Sequence, residues 1–108
     1  MDEEKFLSLL KSSNIISGKF NFLDKKDYLM DLDVFHKQFS NCEIRGGDFA
    51  SSTFKNCKFD KVIFRKTALI GVSFLNCHFI DCRLFSAEAS FSMNDCKIDK
   101  FNVTRLDV

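Results

Sequence analysis

The chain has 108 residues, enough for one domain with a real core, and a formal charge of +1 from 16 basic and 15 acidic residues. That balance argues against the basic bias of a nucleic-acid-binding domain and against the acidic bias of a DNA-mimicking surface. No apolar run approaches the length of a membrane span.

Phe occurs 14 times, Tyr once, and Trp and Pro never, as if one environment accepted the same ring many times over. The acidic start, Met1-Asp2-Glu3-Glu4-Lys5, lacks the basic region and long apolar core of a secretory signal. The 5 cysteines are an odd number without metal-ligand spacing, which suits reduced thiols and a cytoplasmic location.

Residues 3–12 read as a short helix. Phe6, Leu7, Leu9 and Leu10 fall on one side, Asp2 is a candidate N-cap, and Ser12-Ser13-Asn14 ends it. Docking of its apolar side on the rest of the domain is expected, because the polar side is not basic enough for a membrane-surface helix. Residues 15–38 are less legible. Ser17-Gly18 is a turn signal, Phe20 and Phe22 alternate as in a short strand, and Asp24-Lys25-Lys26-Asp27 is polar. Leu32 and Val34 fit one more unit of the pattern that follows.

From Phe39 the period is five. Phe39, Ile44, Phe49, Phe54, Phe59, Phe64, Leu69, Phe74, Phe79 and Leu84 are all large and apolar. Two residues before each centre, after the first, the side chain is small: Cys42, Gly47, Ser52, Cys57, Val62, Thr67, Val72, Cys77 and Cys82. Neither a helix nor a flat strand has this period. A short extended piece followed by a corner does: the centre and the residue two before it point inward, and their neighbours point out. Two residues after the centre stand Asn41, Gly46, Ser51, Asn56, Gly71, Asn76 and Asp81 among others, which are mostly turn formers. One residue is lost between Ala89 and Met93, after which Ile98, Val103 and Val108 take the centres.

This pattern resembles the pentapeptide-repeat family, most clearly in Cys42-Glu43-Ile44, Cys57-Lys58-Phe59, Cys77-His78-Phe79 and Cys82-Arg83-Leu84. The resemblance is close over 37–89 and looser to 108. It implies an all-β fold: a right-handed quadrilateral parallel β-helix, four units to a coil, with a short N-terminal capping α-helix. Residues 1–31 would be the helix and capping segment, and 32–108 the β-helix. Columns twenty residues apart would stack, among them Phe39, Phe59 and Phe79 continuing into Ile98.

The chemistry expected of such a chain is slight. The column of Cys57, Cys77 and Cys96 occupies the small inward position, where Cys behaves as a small hydrophobe, and His78 should point the other way. No phosphate-cradling loop and no paired nucleophile and base are fixed by spacing, so neither an enzyme, a cofactor nor a metal is expected. Outside, the residues following four successive centres are apolar: Ile70, Leu75, Ile80 and Phe85. They form a belt around one coil and are candidate partner contacts. Phe101, Val103, Leu106 and Val108 belong to a last coil with nothing stacked on it, a candidate homodimer end. The expected function is a non-enzymatic scaffold that binds a protein, with neither nucleic acid nor membrane as partner. The alternatives are a DNA-mimic that shields a type II topoisomerase, which the charge disfavours, and a small bacterial immunity or effector protein.

Overall fold

A computed structural model describes residues 2–22, 29–86 and 88–105. The chain forms a parallel β-solenoid of about four turns behind one N-terminal helix. The helix α1 (Asp2–Ser12) is followed by β1 (Ile15–Phe22), β2 (Asp33–Phe35), β3 (Gln38–Gly46), β4 (Thr53–Lys55) and β5 (Lys58–Arg65). Then come β6 (Ala68–Leu75), β7 (His78–Ser86), β8 (Glu88–Asn94) and β9 (Lys97–Arg105). The odd-numbered strands stack in order as one parallel sheet, and the even-numbered strands as another. Partners in the regular coils are twenty residues apart: Phe39 with Phe59, Phe54 with Phe74, Phe59 with Phe79.

The period of five comes from the corners. Positive φ recurs at every fifth residue from Asp31 through His36, Asn41, Gly46 and Ser51 to Asp81. Each of these lies two residues after a centre. A single left-handed residue redirects the chain, and Asn, Asp and Gly adopt that conformation most readily. Lys61 and Lys66 sit at corners too (φ 56° and 53°), so the stacked coils impose the conformation even where the residue type does not favour it. Adjacent corners can also bond laterally: the Asn76 side-chain amide donates to the Asn56 side-chain oxygen one coil away.

The unbroken run of corners begins at Asp31, two residues after the buried Leu29. Ile15–Phe22, assigned by sequence to the capping segment, pairs in parallel with β3 and is the outer strand of its sheet. A five-residue scan passes over it because the buried Ile16 and Phe20 are four apart, and the register with β3 shifts between Ile16 and Gly18. The other end has a matching irregularity. Ile70 pairs with Ser90 but Ser73 pairs with Ser92, which locates the lost residue between Ala89 and Met93.

The core is a set of columns. The Phe39 and Phe59 rings stack at 5.0 Å and 4°, and those of Phe59 and Phe79 at 4.9 Å and 5°. Below Phe79 the column departs from the expected continuation. Ile98 is the backbone partner of Phe79, yet the ring stacked on Phe79 is Phe101, at 4.9 Å and 4°. Phe101 stands at the inward position that is small in earlier coils; a ring there reaches under Phe79, and Ile98 is left 51% exposed. At the top, Phe6 of α1 stacks over Phe39 at 6.3 Å and meets Phe20, Phe22 and Phe49 edge-on. The helix thus caps the solenoid by supplying the ring that the next coil would have supplied, which covers an otherwise open end. Asp2 helps fix it: its carboxylate accepts the Asn21 amide N–H of β1 at 2.7 Å.

Candidate interaction surface

The interior is closed by the small inward residues. Several of them reach to the carbonyl of a centre residue one coil back: Ser52 donates to Leu29 at 3.0 Å, Thr67 to Ile44 at 3.3 Å, Cys77 to Phe54 and Cys82 to Phe59 at 3.2 Å. Cys57 and Cys96 make the same contact with Val34 and Phe74 at 3.5 and 3.4 Å. The position therefore favours a small side chain that can donate, which is why Cys, Ser and Thr share it. Burial pushes the Cys42 thiol up to about 12, and burial likewise raises Cys82 and Cys96. Cys77 is raised by its side-chain contact with Cys57 and by burial. Thiols raised in this way stay neutral and are poor nucleophiles, whereas the hydrogen bond with Cys77 lowers Cys57.

His78 points outward. Its Nε2 lies 2.6 Å from the Asp99 carboxylate on the next coil, and that hydrogen bond holds the Asp99 carboxyl below the usual range. Sequence spacing gave His78 no acidic partner. The partner comes from the diagonal between neighbouring strands, where Ile80 faces Asp99.

The four belt residues do not form one patch. Ile70 is 46% exposed, whereas Leu75, Ile80 and Phe85 are half-buried, and three corners separate the first from the last. Ile70 shares its side with Ala50 and the exposed Met30, a narrow apolar stripe. Phe85 lies on a different side, with the Arg65 guanidinium over its ring at 5.0 Å. Of the proposed end residues, Phe101 is half-buried under Phe79 and Val103 is 49% exposed; Leu106 and Val108 lie outside the described residues.

The side that carries Phe85 is the most strongly charged. Two outward rows run along it, in register from strand to strand: Glu43, Ile63, Arg83 and Arg45, Arg65, Phe85. Lys61 and Lys66 stand at its two corners. A shallow depression of about 510 Å³ is lined by Glu43, Arg45, Arg65, Lys66 and Phe85. Among the described residues, the only ion pair on this side is Arg65 with Glu43 at 3.9 Å; Asp81 lines a second depression with Lys61, Ile63 and Arg83 but is ion-paired to Lys100 at 3.8 Å.

Comparison with known families decides the classification. The profile of the pentapeptide repeats matches residues 48–84 in 8 copies. The chain carries pentapeptide repeats over that span. No curated protein and no solved structure matches it. The matched repeats lie within the coils of unbroken period five, between the two places where β1 and β8 lose a residue. No helix among the described residues is long and apolar enough to cross a membrane.

Proposed function

We propose that this chain is a non-enzymatic scaffold that binds another protein through its outer sides. One observation carries the reading: inward positions are filled by stacked rings and by side chains bonded to backbone carbonyls, so recognition falls to the flat outer rows. Inward thiols and an outward His78 paired to Asp99 leave nucleophile and base on opposite sides of the wall. A cytoplasmic site of action fits five free thiols.

The test is affinity capture from native lysate with wild type and with an Ile70→Asp/Phe85→Asp variant shown to be folded by circular dichroism. A partner held by wild type and lost by the variant supports the scaffold. Capture of nothing specific by wild type ends it, and equal capture by both removes the apolar belt as the contact.

A second reading concerns the C-terminal coil, where Ile98 and Val103 are about half exposed and β9 is an outer strand of its sheet. A second copy docking there would pair with the outer strand β9, much as α1 covers the opposite end. Light scattering on wild type and Phe101→Asp tests it: a wild-type dimer that the substitution dissociates supports it, and a wild-type monomer sinks it. Topoisomerase shielding is the weaker alternative, because the side most strongly charged is basic, not acidic. A gyrase supercoiling assay with added protein should show neither inhibition nor quinolone protection.

A further inference from the structure

We infer that the basic side of the solenoid, centred on Arg45 and Arg65, docks an acidic segment of a partner protein. The inference rests on the scaffold reading and names the surface and the chemistry of its ligand.

The first ground is an unbalanced charge. Arg45 and Arg65 are direct partners on neighbouring strands, about 4.8 Å apart along the stack. Like charges directly opposite are destabilising, and a stack held only for stability would alternate them. The neighbouring side balances them instead: a row of Lys58, His78 and Lys97 runs beside a row of Asp60, Ile80 and Asp99, and His78 is bonded to Asp99 across the two. On the basic side, Arg45, Lys61, Lys66 and Arg83 have no acidic partner among the described residues. The chain as a whole carries only +1, so the concentration of positive charge is a property of this side.

The second ground is preorganisation. Arg65 is held between the Glu43 carboxylate and the Phe85 ring, with its guanidinium at the rim of the depression. A planar guanidinium fixed in this way loses little freedom on binding a carboxylate in bidentate geometry. Arg45 and Lys66 line the same depression.

The third ground separates the ligand class. Half-buried Ile63 and Phe85 are interleaved with the cations, and Glu43 sits in their midst. A phosphate backbone would meet that carboxylate and gain nothing from the apolar groups. A protein segment with carboxylates and one or two apolar side chains can use both.

The experiment is fluorescence anisotropy with a labelled short peptide of glutamates interrupted by leucines. Its glutamine analogue and a short DNA duplex serve as competing probes. The acidic peptide should bind, more weakly as salt rises. Arg45→Glu/Arg65→Glu should weaken it about tenfold, whereas Lys55→Glu/Lys58→Glu, on other sides, should change it by less than about twofold. If the charge reversal disturbs folding by circular dichroism, Arg45→Gln/Arg65→Gln makes the same comparison. The inference is overturned by no binding of the acidic peptide, by equal binding of the glutamine analogue, by tighter binding of the duplex, or by equal effects of the two double variants. Such a failure, with a lysate partner still captured by wild type, leaves the scaffold standing. A lysate in which wild type captures nothing removes the scaffold itself.

Discussion

Phe59→Leu is the most informative single substitution in the core. Phe59 is 1% exposed and has rings on every inward side: Phe39 and Phe79 stacked at 5.0 and 4.9 Å, and Phe54 and Phe74 edge-on at 5.7 Å. Removing the ring altogether, as in Phe59→Ala, should cost about 4 kcal/mol, from lost burial and the cavity left behind. That is a large share of the 5–15 kcal/mol typical of a whole domain, so this variant risks unfolding outright. Leucine keeps most of the apolar volume and forfeits the ring contacts, each worth about 0.5–1.5 kcal/mol beyond burial. With partial repacking, Phe59→Leu should cost about 2 kcal/mol. Phe101→Leu removes a half-buried ring with one close stacked neighbour, and should cost about 1 kcal/mol or less. Urea titration followed by far-ultraviolet circular dichroism measures both. If the two variants shift the free energy equally, the central column does not act as a ladder and the reasoning fails.

Other predictions follow from the corners and the titrating groups. Gly71→Ala should cost about 1 kcal/mol for a side chain at φ +70°, since its Cβ would meet nothing closer than 3.7 Å. Gly47→Ala should cost about 1–2 kcal/mol more, because at φ +87° its Cβ would press to 3.1 Å on Phe22 and Leu29; equal losses in urea titration would contradict this. Burial raises the Cys42 thiol to about 12, so its contribution to stability is whole below the unfolded thiol's pKa of about 8.5 and fades as pH rises above it. The unfolding free energy from urea titration should therefore fall between pH 9 and 11 less steeply in Cys42→Ala than in wild type, by about 1.4 kcal/mol per pH unit. A thiol reagent should label Cys96 first in the native protein and all 5 cysteines only in denaturant; early labelling of Cys77 or Cys82 would contradict their inward position. The Asp99 carboxyl is held down by its hydrogen bond to His78, so the stability this adds is present at neutral pH and lost as pH falls through the depressed value. Carboxyl NMR titration should show Asp99 returning to the ordinary range in His78→Ala.

The regular coils were legible because one period governs two independent features. Large residues at the centres and turn formers two positions later share the interval of five, and the structure puts both where that interval requires. What the sequence hid lies where the interval breaks. Ile16 and Phe20 are inward but four apart, so β1 looked like part of a capping segment. Phe101 takes the interior in place of Ile98, because a ring at the normally small position wins the space under Phe79. The basic side was present in the letters, as Arg45 and Arg65 one coil apart, but reading along the chain scatters its members. Only columns twenty apart bring Lys61, Arg83 and Phe85 beside them. His78 and Asp99 were hidden for the same reason, with the added offset of a diagonal contact.

On the proposed reading an outer side of the solenoid, and in particular the basic one, meets a partner while the interior only supports it. Lysine labelling in native lysate, compared with labelling in buffer, tests this most directly. Lys61 and Lys66 should be shielded in lysate while Lys55 and Lys58, exposed on other sides, stay reactive. Shielding of Lys55 and Lys58 with Lys61 and Lys66 left reactive, or no shielding anywhere, would contradict it.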